Sequence, residues 1–310
     1  MRITPIITAV LSLGVAGAFL AAPANADAPP STPPSAGAVA PATGTATPAP
    51  APISAPAPAH TPTAGAAPTT SPAPATTSKY LFDDEFDGTT VDTSKWGIVD
   101  RGGDASNNEA QCYIPGNVSE ADGYLQITSK VDSSCKGYKY TSGMVQWKDF
   151  NLTYGTIEIR ARQAGGKGSW PAQWLLGADC QAATMTSDEN FGGCDWPNPG
   201  SDEVDIAEFK SSGPTVNWQN VISGDSGFKT CKPNVSDASE NWHVYTLTWH
   251  AKTLVWKVDG KTTCTQTEAV PTQPMFLIIN NAMGGDGGGA IDGSDFPQTM
   301  QVDYVRVSRL

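Results

Sequence analysis

The sequence predicts an all-β domain built as a sandwich of two antiparallel sheets. Short segments alternate apolar with polar residues, and Gly, Pro, Asp or Asn bound these segments. No long stretch repeats its apolar residues with the helical period of 3.6. Many short strands separated by turns are typical of a sandwich, and a closed barrel is the lesser alternative.

Residues 1–26 have the pattern of a secretory leader. Arg2 supplies the positive start, the run from Ile6 to Ala22 is apolar, and residues 24–26 read as a small-residue cleavage site. An uncleaved membrane anchor is the alternative. No later run approaches the roughly 18 apolar residues that span a bilayer, so we expect an extracellular chain with no membrane contact after cleavage.

Residues 27–78 are rich in Pro, Ala and Thr and contain no Trp, Tyr, Phe or Cys. Such a segment has too little apolar surface to offset the conformational entropy of ordering it. We expect a disordered linker, a stalk or a glycosylated spacer, and composition does not choose among them.

The globular domain is therefore expected at residues 79–310, a length that suits one all-β domain. The formal net charge of the chain is −12, and almost all of its charges lie in this domain. An acidic surface repels nucleic acid and anionic membranes, which favours a neutral substrate. We also expect a monomer.

The strand pattern is clearest in six segments. In GTIEIRARQ, a period of two places Ile157 and Ile159 on one face and Glu158 and Arg160 on the other. Two tryptophans in alternating runs, Trp249 and Trp256, are expected in the core. The predicted strands are 123–130, 155–163, 242–250, 254–260, 274–283 and 300–309.

All six cysteines lie in the globular domain. An even number in an exported chain indicates disulfides, although sequence alone permits many pairings. We expect neighbours along the chain to pair, 112 with 135, 180 with 194 and 231 with 264, because each bond would then close a local hairpin or loop. A zinc cluster is the disfavoured alternative, since no C-x-x-C motif occurs.

The segment DEVDIAEF, residues 202–209, crowds carboxylates among apolar residues. As a regular strand it directs Glu203 and Asp205 to one face and Glu208 to the other. One extra residue, a β-bulge around Ile206–Ala207, returns Glu208 to the first face. A helix would spread the three carboxylates around its circumference. A bulged strand is thus the regular structure that groups the acids and also buries the apolar residues.

Grouped carboxylates raise one another's pKa, and burial in a sheet raises it further. Retaining hydrolysis of a glycosidic bond uses such a group, with one carboxylate as nucleophile and one carboxylic acid as proton donor about 5 Å apart. An intervening acid can set the two pKa values apart. A solvated strand face is the structural alternative.

The motif E-V-D-I-A-E resembles the signature of glycoside hydrolase family 16 in its bulged form, as found in laminarinase-like endo-β-1,3-glucanases. Further segments resemble blocks of the same family in the same order: DDEFDGTTVDTSKW (83–96), NNEAQCY (107–113), the long block 142–177, and FPQTMQVDYVRV (296–307). The resemblance implies a jelly-roll β-sandwich with a concave substrate cleft and a retaining mechanism.

Carried over by position, the resemblance implies that Glu203 is the nucleophile, Asp205 its supporting acid and Glu208 the general acid/base. No cofactor is implied for catalysis. The positions that match cleft-lining residues of the family are Asn108, Glu109, Trp170, Trp174 and Trp196. Many relatives carry a structural calcium, which would use Glu85, Gly123 and Asp303 here.

The chain departs from laminarinase-like relatives beside the acidic motif. Where they usually have histidine, the next strand reads TVNWQNVISG, with Asn217, Trp218 and Asn220. A long insertion also separates Cys180 from Cys194. Both changes lie where leaving-group and specificity contacts are expected, so they bear on which glycan is bound.

The glycine-rich run GGDGGG, residues 284–289, lacks the Lys-Ser/Thr of a phosphate-binding loop. We expect it to form a flexible loop at the edge of the cleft.

The sequence therefore predicts a secreted retaining endo-glycoside hydrolase that acts on a β-glucan with β-1,3 or mixed β-1,3/1,4 linkages. One alternative is action on another polysaccharide such as a galactan, or transglycosylation during wall remodelling. A second alternative, of another class, is a non-catalytic glycan-binding sandwich, since a fold does not determine a function.

Overall fold

A computed structural model describes residues 78–185, 194, 196–198, 200–224 and 227–310. The expected leader of residues 1–26 and, apart from Ser78, the expected linker of residues 27–78 lie outside these ranges. Most of the insertion between Cys180 and Cys194 lies outside them too.

The described residues form strands almost throughout. The first nine are β1 (Phe82–Asp84), β2 (Trp96–Ile98), β3 (Arg101–Gly102), β4 (Gln111–Tyr113), β5 (Val118–Ala121), β6 (Tyr124–Val131), β7 (Tyr140–Ser142), β8 (Met144–Trp147) and β9 (Gly155–Arg162). The next nine are β10 (Ser169–Gly177), β11 (Glu203–Lys210), β12 (Gly213–Ser223), β13 (Gly227–Cys231), β14 (His243–His250), β15 (Thr253–Val258), β16 (Lys261–Gln266), β17 (Met275–Met283) and β18 (Gln298–Ser308).

Helical structure in the described part of the chain is limited to single turns. One α-helical turn, α1 (Gly285–Gly288), follows β17. The 3-10 turns are Ala105–Asn107, Pro115–Asn117, Ala178–Cys180, Ala183–Met185 and Gly293–Asp295.

The strands form two sheets. The larger has the order β16-β15-β14-β9-β18-β6-β7-β4-β3, with β1 paired to β18 and β5 to β6. The smaller, a seven-stranded sheet, has the order β13-β12-β11-β10-β17-β8-β2. Neighbouring strands are antiparallel except β4 and β7, which run parallel. The predicted all-β sandwich is confirmed, with this one parallel pair as a correction to the expectation of purely antiparallel sheets.

The apolar side chains of the two sheets meet in one core. Along β9, Ile157, Ile159 and Ala161 are fully buried and alternate with more exposed charged residues, as the period of two predicts. Trp249 and Trp256, from the larger sheet, are also buried in this core, as expected. Strand β17 is buried along its whole length, because one of its faces meets the core and the other carries polar contacts described below.

Three disulfides join neighbouring cysteines, and all three match the predicted pairing. Cys231–Cys264 is the most relevant to the smaller sheet, because it ties the end of β13 to β16 of the larger sheet. The other two bonds are Cys112–Cys135 and Cys180–Cys194.

A membrane-spanning helix would have to be long and apolar. Among the residues that the structure describes, no helix meets both conditions.

Candidate active site

The acidic segment forms β11, a central strand of the seven-stranded sheet, and this strand is bulged. Two successive residues of β10 pair with Ala207 and Asp205, which leaves Ile206 between them without a partner in that strand. The register between β11 and β12 shifts in the same stretch. One extra residue in a strand is a β-bulge, which changes the face that the following side chains occupy. The bulge predicted around Ile206–Ala207 is confirmed.

Because of the bulge, Glu203, Asp205 and Glu208 line one cavity of about 260 Å³. The cavity lies on one face of the smaller sheet. Val204 and Ala207 of β11 pack into the core on the other face. Its walls come from the sheet itself, from the segment that leads into β4, and from the turn after β17. The other lining residues are Arg101, Asp104, Asn107, Glu109, Tyr113, Met144, Trp170, Ala172, Trp174, Trp196, Lys210, Asn220, Ile222, Phe228, Asn280, Ala282 and Asp286.

Asn220, from β12, connects two of the carboxylates. Its Nδ2 donates to Asp205 Oδ2 at 2.7 Å and to Glu208 Oε2 at 2.9 Å. All three residues are buried, so these hydrogen bonds are protected from competition with water. Both protons of one amide are therefore used to hold two acids in a defined relation.

The other oxygen of Glu208 also has two partners. The indole Nε1 of Trp170 donates to Glu208 Oε1 at 2.7 Å, and Lys210 Nζ lies 3.2 Å from the same oxygen. The Lys210 ammonium also lies over the rings of Trp170 and Trp218, at 5.5 and 4.7 Å from their centroids. The orientation of the Glu208 carboxyl is thus set from three directions.

The pKa values of Glu203 and Asp205 are both raised. Burial is the largest cause for Asp205, followed by the charge of Glu208, and together they raise its pKa to about 8 although Asn220 opposes the shift. Burial, followed by the charges of Asp205 and Glu208, raises the pKa of Glu203 well above its ordinary value, against a hydrogen bond from Trp196. The two carboxyls are hydrogen-bonded to each other, so the pair retains a proton at neutral pH.

A second polar network forms the wall opposite β11. Glu109 Oε2 accepts from the backbone N–H of Asp104 at 2.9 Å, from Gln111 Nε2 at 2.6 Å and from the hydroxyl of Tyr113 at 3.1 Å. Asn280 Nδ2 donates to the same hydroxyl at 2.9 Å. Burial raises the pKa of Glu109 above its ordinary value.

That network extends to an indole of the cavity. The Nε1 of Trp174 donates to Asn280 Oδ1 at 2.9 Å, so Asn280 links Tyr113 on β4 to Trp174 on β10. Trp174 therefore has a fixed place among polar partners on β17 and β4.

The glycine-rich run forms a turn at the edge of the cavity, as the sequence predicted, and its flexibility stays a prediction. Its residues 285–288 form α1, and Gly287 lies against the indole of Trp170 so closely that an added Cβ would overlap the ring. Asp286 on this turn lines the cavity and accepts a hydrogen bond from Asn108 Nδ2 at 3.0 Å.

The structure brings together most of the predicted site residues. The three acids line the cavity, as do Glu109, Trp170, Trp174 and Trp196. Asn108 is the exception: it is exposed at the rim and bonds Asp286, while its neighbour Asn107 lines the cavity. This placement follows from the left-handed backbone of Asn108 at the end of a 3-10 turn.

Several residues of the site were not predicted as such. Tyr113 stands in a segment that the family resemblance had identified and Asn280 in a predicted strand, but nothing in their spacing indicates a cavity. Lys210 directly follows the acidic segment, and Asp286 lies in the glycine-rich run. Asn220 was noted only as a departure from related sequences. A polar residue in a strand that is otherwise buried, as in IINNAM, was the available signal for Asn280.

Two of the three residues expected to hold calcium, Glu85 and Asp303, are paired with arginine. Glu85 accepts from Arg306 Nε at 2.8 Å and Nη2 at 2.6 Å, and Asp303 accepts from Arg160 at 2.7 Å. In the described ranges, no group of three or more His, Cys, Asp or Glu residues is arranged to hold a metal ion. Carboxylates neutralised by arginine do not fit a calcium site. Calcium binding stays a prediction from the sequence, and no step below depends on it.

Comparison with known proteins assigns the chain to a family. Residues 107–306 match the family described as Glycosyl hydrolases family 16. The chain is 32% identical over 266 residues to glucan endo-1,3-beta-glucosidase A1 of Niallia circulans, a match that covers 73% of this chain and 37% of the relative. It is 29% identical over 251 residues to keratan-sulfate endo-1,4-beta-galactosidase of Sphingobacterium multivorum, with 76% and 56% covered.

A solved structure agrees with these relatives. The fold matches LamA of Zobellia galactanivorans in complex with laminaritriose and laminaritetraose, with a TM-score of 0.66 and 28% identity over 74% of this chain and 98% of that one. This chain spans only 37% and 56% of the length of the two curated relatives. The region matched to the family, 107–306, nevertheless includes the bulged strand and most residues that line the cavity. The chain belongs to glycosyl hydrolase family 16.

Proposed function

We propose that this chain is a secreted retaining endo-β-glucanase that cleaves β-1,3 linkages, alone or in mixed β-1,3/1,4-glucan. The observation that carries the proposal is the group of three carboxylates on one bulged strand, inside a cavity lined by tryptophans. Family membership and the glucanase names of relatives support it. The three disulfides agree with an exported protein. We also propose that it acts as a monomer.

In the first chemical step, a carboxylate oxygen of Glu203 attacks the anomeric carbon. The bond from that carbon to the leaving oxygen breaks, and Glu208 transfers its proton to that oxygen. The product is a covalent glycosyl ester of Glu203. For the attack, the proton that Glu203 and Asp205 share must lie on Asp205, which then donates a hydrogen bond to Glu203 and leaves the nucleophile ionised.

In the second step, Glu208 acts as a base. It takes a proton from water, the water oxygen bonds to the anomeric carbon, and Glu203 leaves as a carboxylate. Two displacements on one carbon retain the configuration of the sugar. The contacts of Trp170, Lys210 and Asn220 with Glu208 keep this residue directed at the scissile oxygen in both steps.

A decisive test is to replace each carboxylate in the full chain. We expect Glu203→Gln and Glu208→Gln to lower kcat on laminarin by about a thousandfold or more, as is usual when a group of a covalent mechanism is lost. Azide distinguishes the two roles with an aryl β-laminaribioside as substrate. Azide should restore turnover by Glu203→Ala, with an α-glycosyl azide as the product. It should also restore turnover by Glu208→Ala, with a β-glycosyl azide as the product. Near wild-type rates in either Gln variant would end the assignment.

The linkage is tested on a panel of laminarin, lichenan, agarose and galactan. A galactan is the second candidate, because one relative is named as an endo-1,4-beta-galactosidase. Products longer than the substrate would indicate transglycosylation. Binding to a glycan of the panel without turnover of any would instead support a non-catalytic module.

A further inference from the structure

Two backbone groups beside the bulge are bonded by side chains. A bulge leaves the extra residue out of the strand ladder, and buried N–H and C=O groups must still find partners. Here the N–H of Glu208 donates to Asn217 Oδ1 at 3.1 Å, and the carbonyl of Asp205 accepts from Trp256 Nε1 at 2.8 Å. Ile206 and Ala207 lie between these two anchored points.

Asn217 holds the bulge from the neighbouring strand. It lies on β12 with 0% exposure, and it does not line the cavity, unlike Trp170 or Asn220. Its bond is to the backbone of Glu208 itself, so it acts on the position of the whole residue and not only on its carboxyl group. The side chain of Asn220, three residues further on, reaches the carboxyl group of Glu208 instead.

Trp256 holds the bulge from the opposite sheet. It lies on β15 with 1% exposure, and its indole crosses the core to reach the carbonyl of Asp205. This bond would break if β11 slid along its own axis or moved away from the core. The two anchors therefore approach the same four-residue stretch, 205–208, from two directions, one within the sheet and one through the core.

We propose that Asn217 and Trp256 are positioning residues that fix the bulge and thereby the spacing of Glu203, Asp205 and Glu208. The inference rests on the proposed function, because the spacing matters only if these carboxylates react together. Neither side chain touches the cavity, so neither is a catalytic residue. A misplacement of about 1 Å in a reacting group can cost about a hundredfold in rate, which is why remote anchors affect kcat.

The chain offers a matched control for each anchor. Trp249 is also a buried tryptophan of the larger sheet, but its Nε1 donates to the carbonyl of Pro271 at 3.1 Å, away from the bulge. Gln219 lies two residues after Asn217 on the same strand and is buried, and its side chain bonds Thr263 of β16. Trp249→Phe removes a buried hydrogen bond of the same kind as that of Trp256, and Gln219→Leu removes a partly buried bond between two side chains. Neither bond includes a residue of β11.

The experiment compares Trp256→Phe with Trp249→Phe and Asn217→Leu with Gln219→Leu in the full chain. We expect each anchor variant to lower kcat on laminarin by about tenfold or more with KM changed less than about threefold, since substrate contacts remain. The controls should keep kcat within about threefold of wild type at a similar loss of thermal stability. Equal kcat in anchor and control variants would overturn the proposal.

Hydrogen exchange measured by NMR gives a readout that needs no activity. The backbone amide of Glu208 should exchange faster in Asn217→Leu than in wild type and Gln219→Leu, because its acceptor is gone. Unchanged protection of that amide would refute the anchor even in an active enzyme. If this amide exchanges faster in Asn217→Leu but the wild-type chain cleaves no glycan, only the proposed function is refuted.

Discussion

At the scale of single residues, Asn220 has the most demanding position in the site. Its one amide group donates to Asp205 and to Glu208, and both acceptors belong to the acidic group. A carboxylate in its place would add a fourth acid to the group, and an apolar side chain would remove a donor from both Asp205 and Glu208. Asparagine fits because it is neutral and has two protons to give.

We expect Asn220→Leu to lower kcat by about tenfold or more, the equivalent of a hydrogen bond to a charged group. Loss of the amide also removes a hydrogen bond that lowers the pKa of Asp205, so this pKa should rise further. The alkaline limb of the pH–rate profile should then shift to higher pH. Kinetics from pH 4 to 10 measure both effects. Gln219→Leu, one residue away on the other face, serves as control. A profile that overlays wild type would contradict this role for Asn220.

At the scale of elements, the turn α1 and strand β10 depend on each other. Gly287 presents bare backbone to the Trp170 ring, and Trp170 in turn donates to Glu208. Gly287 does not have a positive φ, so only the neighbouring ring opposes a side chain at this position. Close packing thus explains the glycine at position 287, whereas Gly284, Gly285 and Gly289 of the same run have a positive φ that favours glycine.

Gly287→Ala should therefore lower kcat/KM on laminarin by about tenfold, because the added methyl group displaces the Trp170 indole from Glu208. Steady-state kinetics and tryptophan fluorescence would report the change. Gly116→Ala is a suitable control, since that glycine has open space around its α-carbon and no positive φ. Wild-type kinetics for Gly287→Ala would show that the ring contact is not needed.

At the scale of the whole molecule, the buried carboxyls of the site lower the free energy of unfolding. The folded chain raises the pKa of Asp205 from 3.8 to about 8, so the folded state binds this proton more tightly than the unfolded state does. The contribution of Asp205 to stability is thus fully present below pH 3.8 and is lost as pH rises through about 8. Burial of grouped acids is a cost that the rest of the sandwich must offset.

We expect Asp205→Asn to gain stability relative to wild type as pH rises from 4 to 8, by about 1 kcal/mol or more at the upper end. Urea unfolding at the two pH values measures the difference. Asp132→Asn should show almost no change over this range, because hydrogen bonds from Ser134 lower the pKa of that exposed carboxylate, so its linkage to stability lies below about pH 3.8. A difference for Asp205→Asn that stays constant with pH would contradict the expected linkage.

The sequence by itself determined the faces of the strands. The period of two in β9 separates its buried residues from its charged ones, and the order of acids in DEVDIAEF requires a bulge if all three acids are to share a face. Cysteine spacing also indicated the three disulfides correctly. These features are local, so a short stretch of chain contains the information that specifies them.

Only the tertiary structure decided what surrounds the acids. Asn220, Asn280 and Trp256 come from different strands, and Trp256 reaches β11 through the core from the other sheet. Likewise, Glu85 accepts a hydrogen bond from Arg306, which comes from the far end of the chain. Contacts between distant residues depend on strand order and register, which a single sequence does not specify. The physical reason is that alternation determines which face a side chain occupies, whereas packing determines what it meets there.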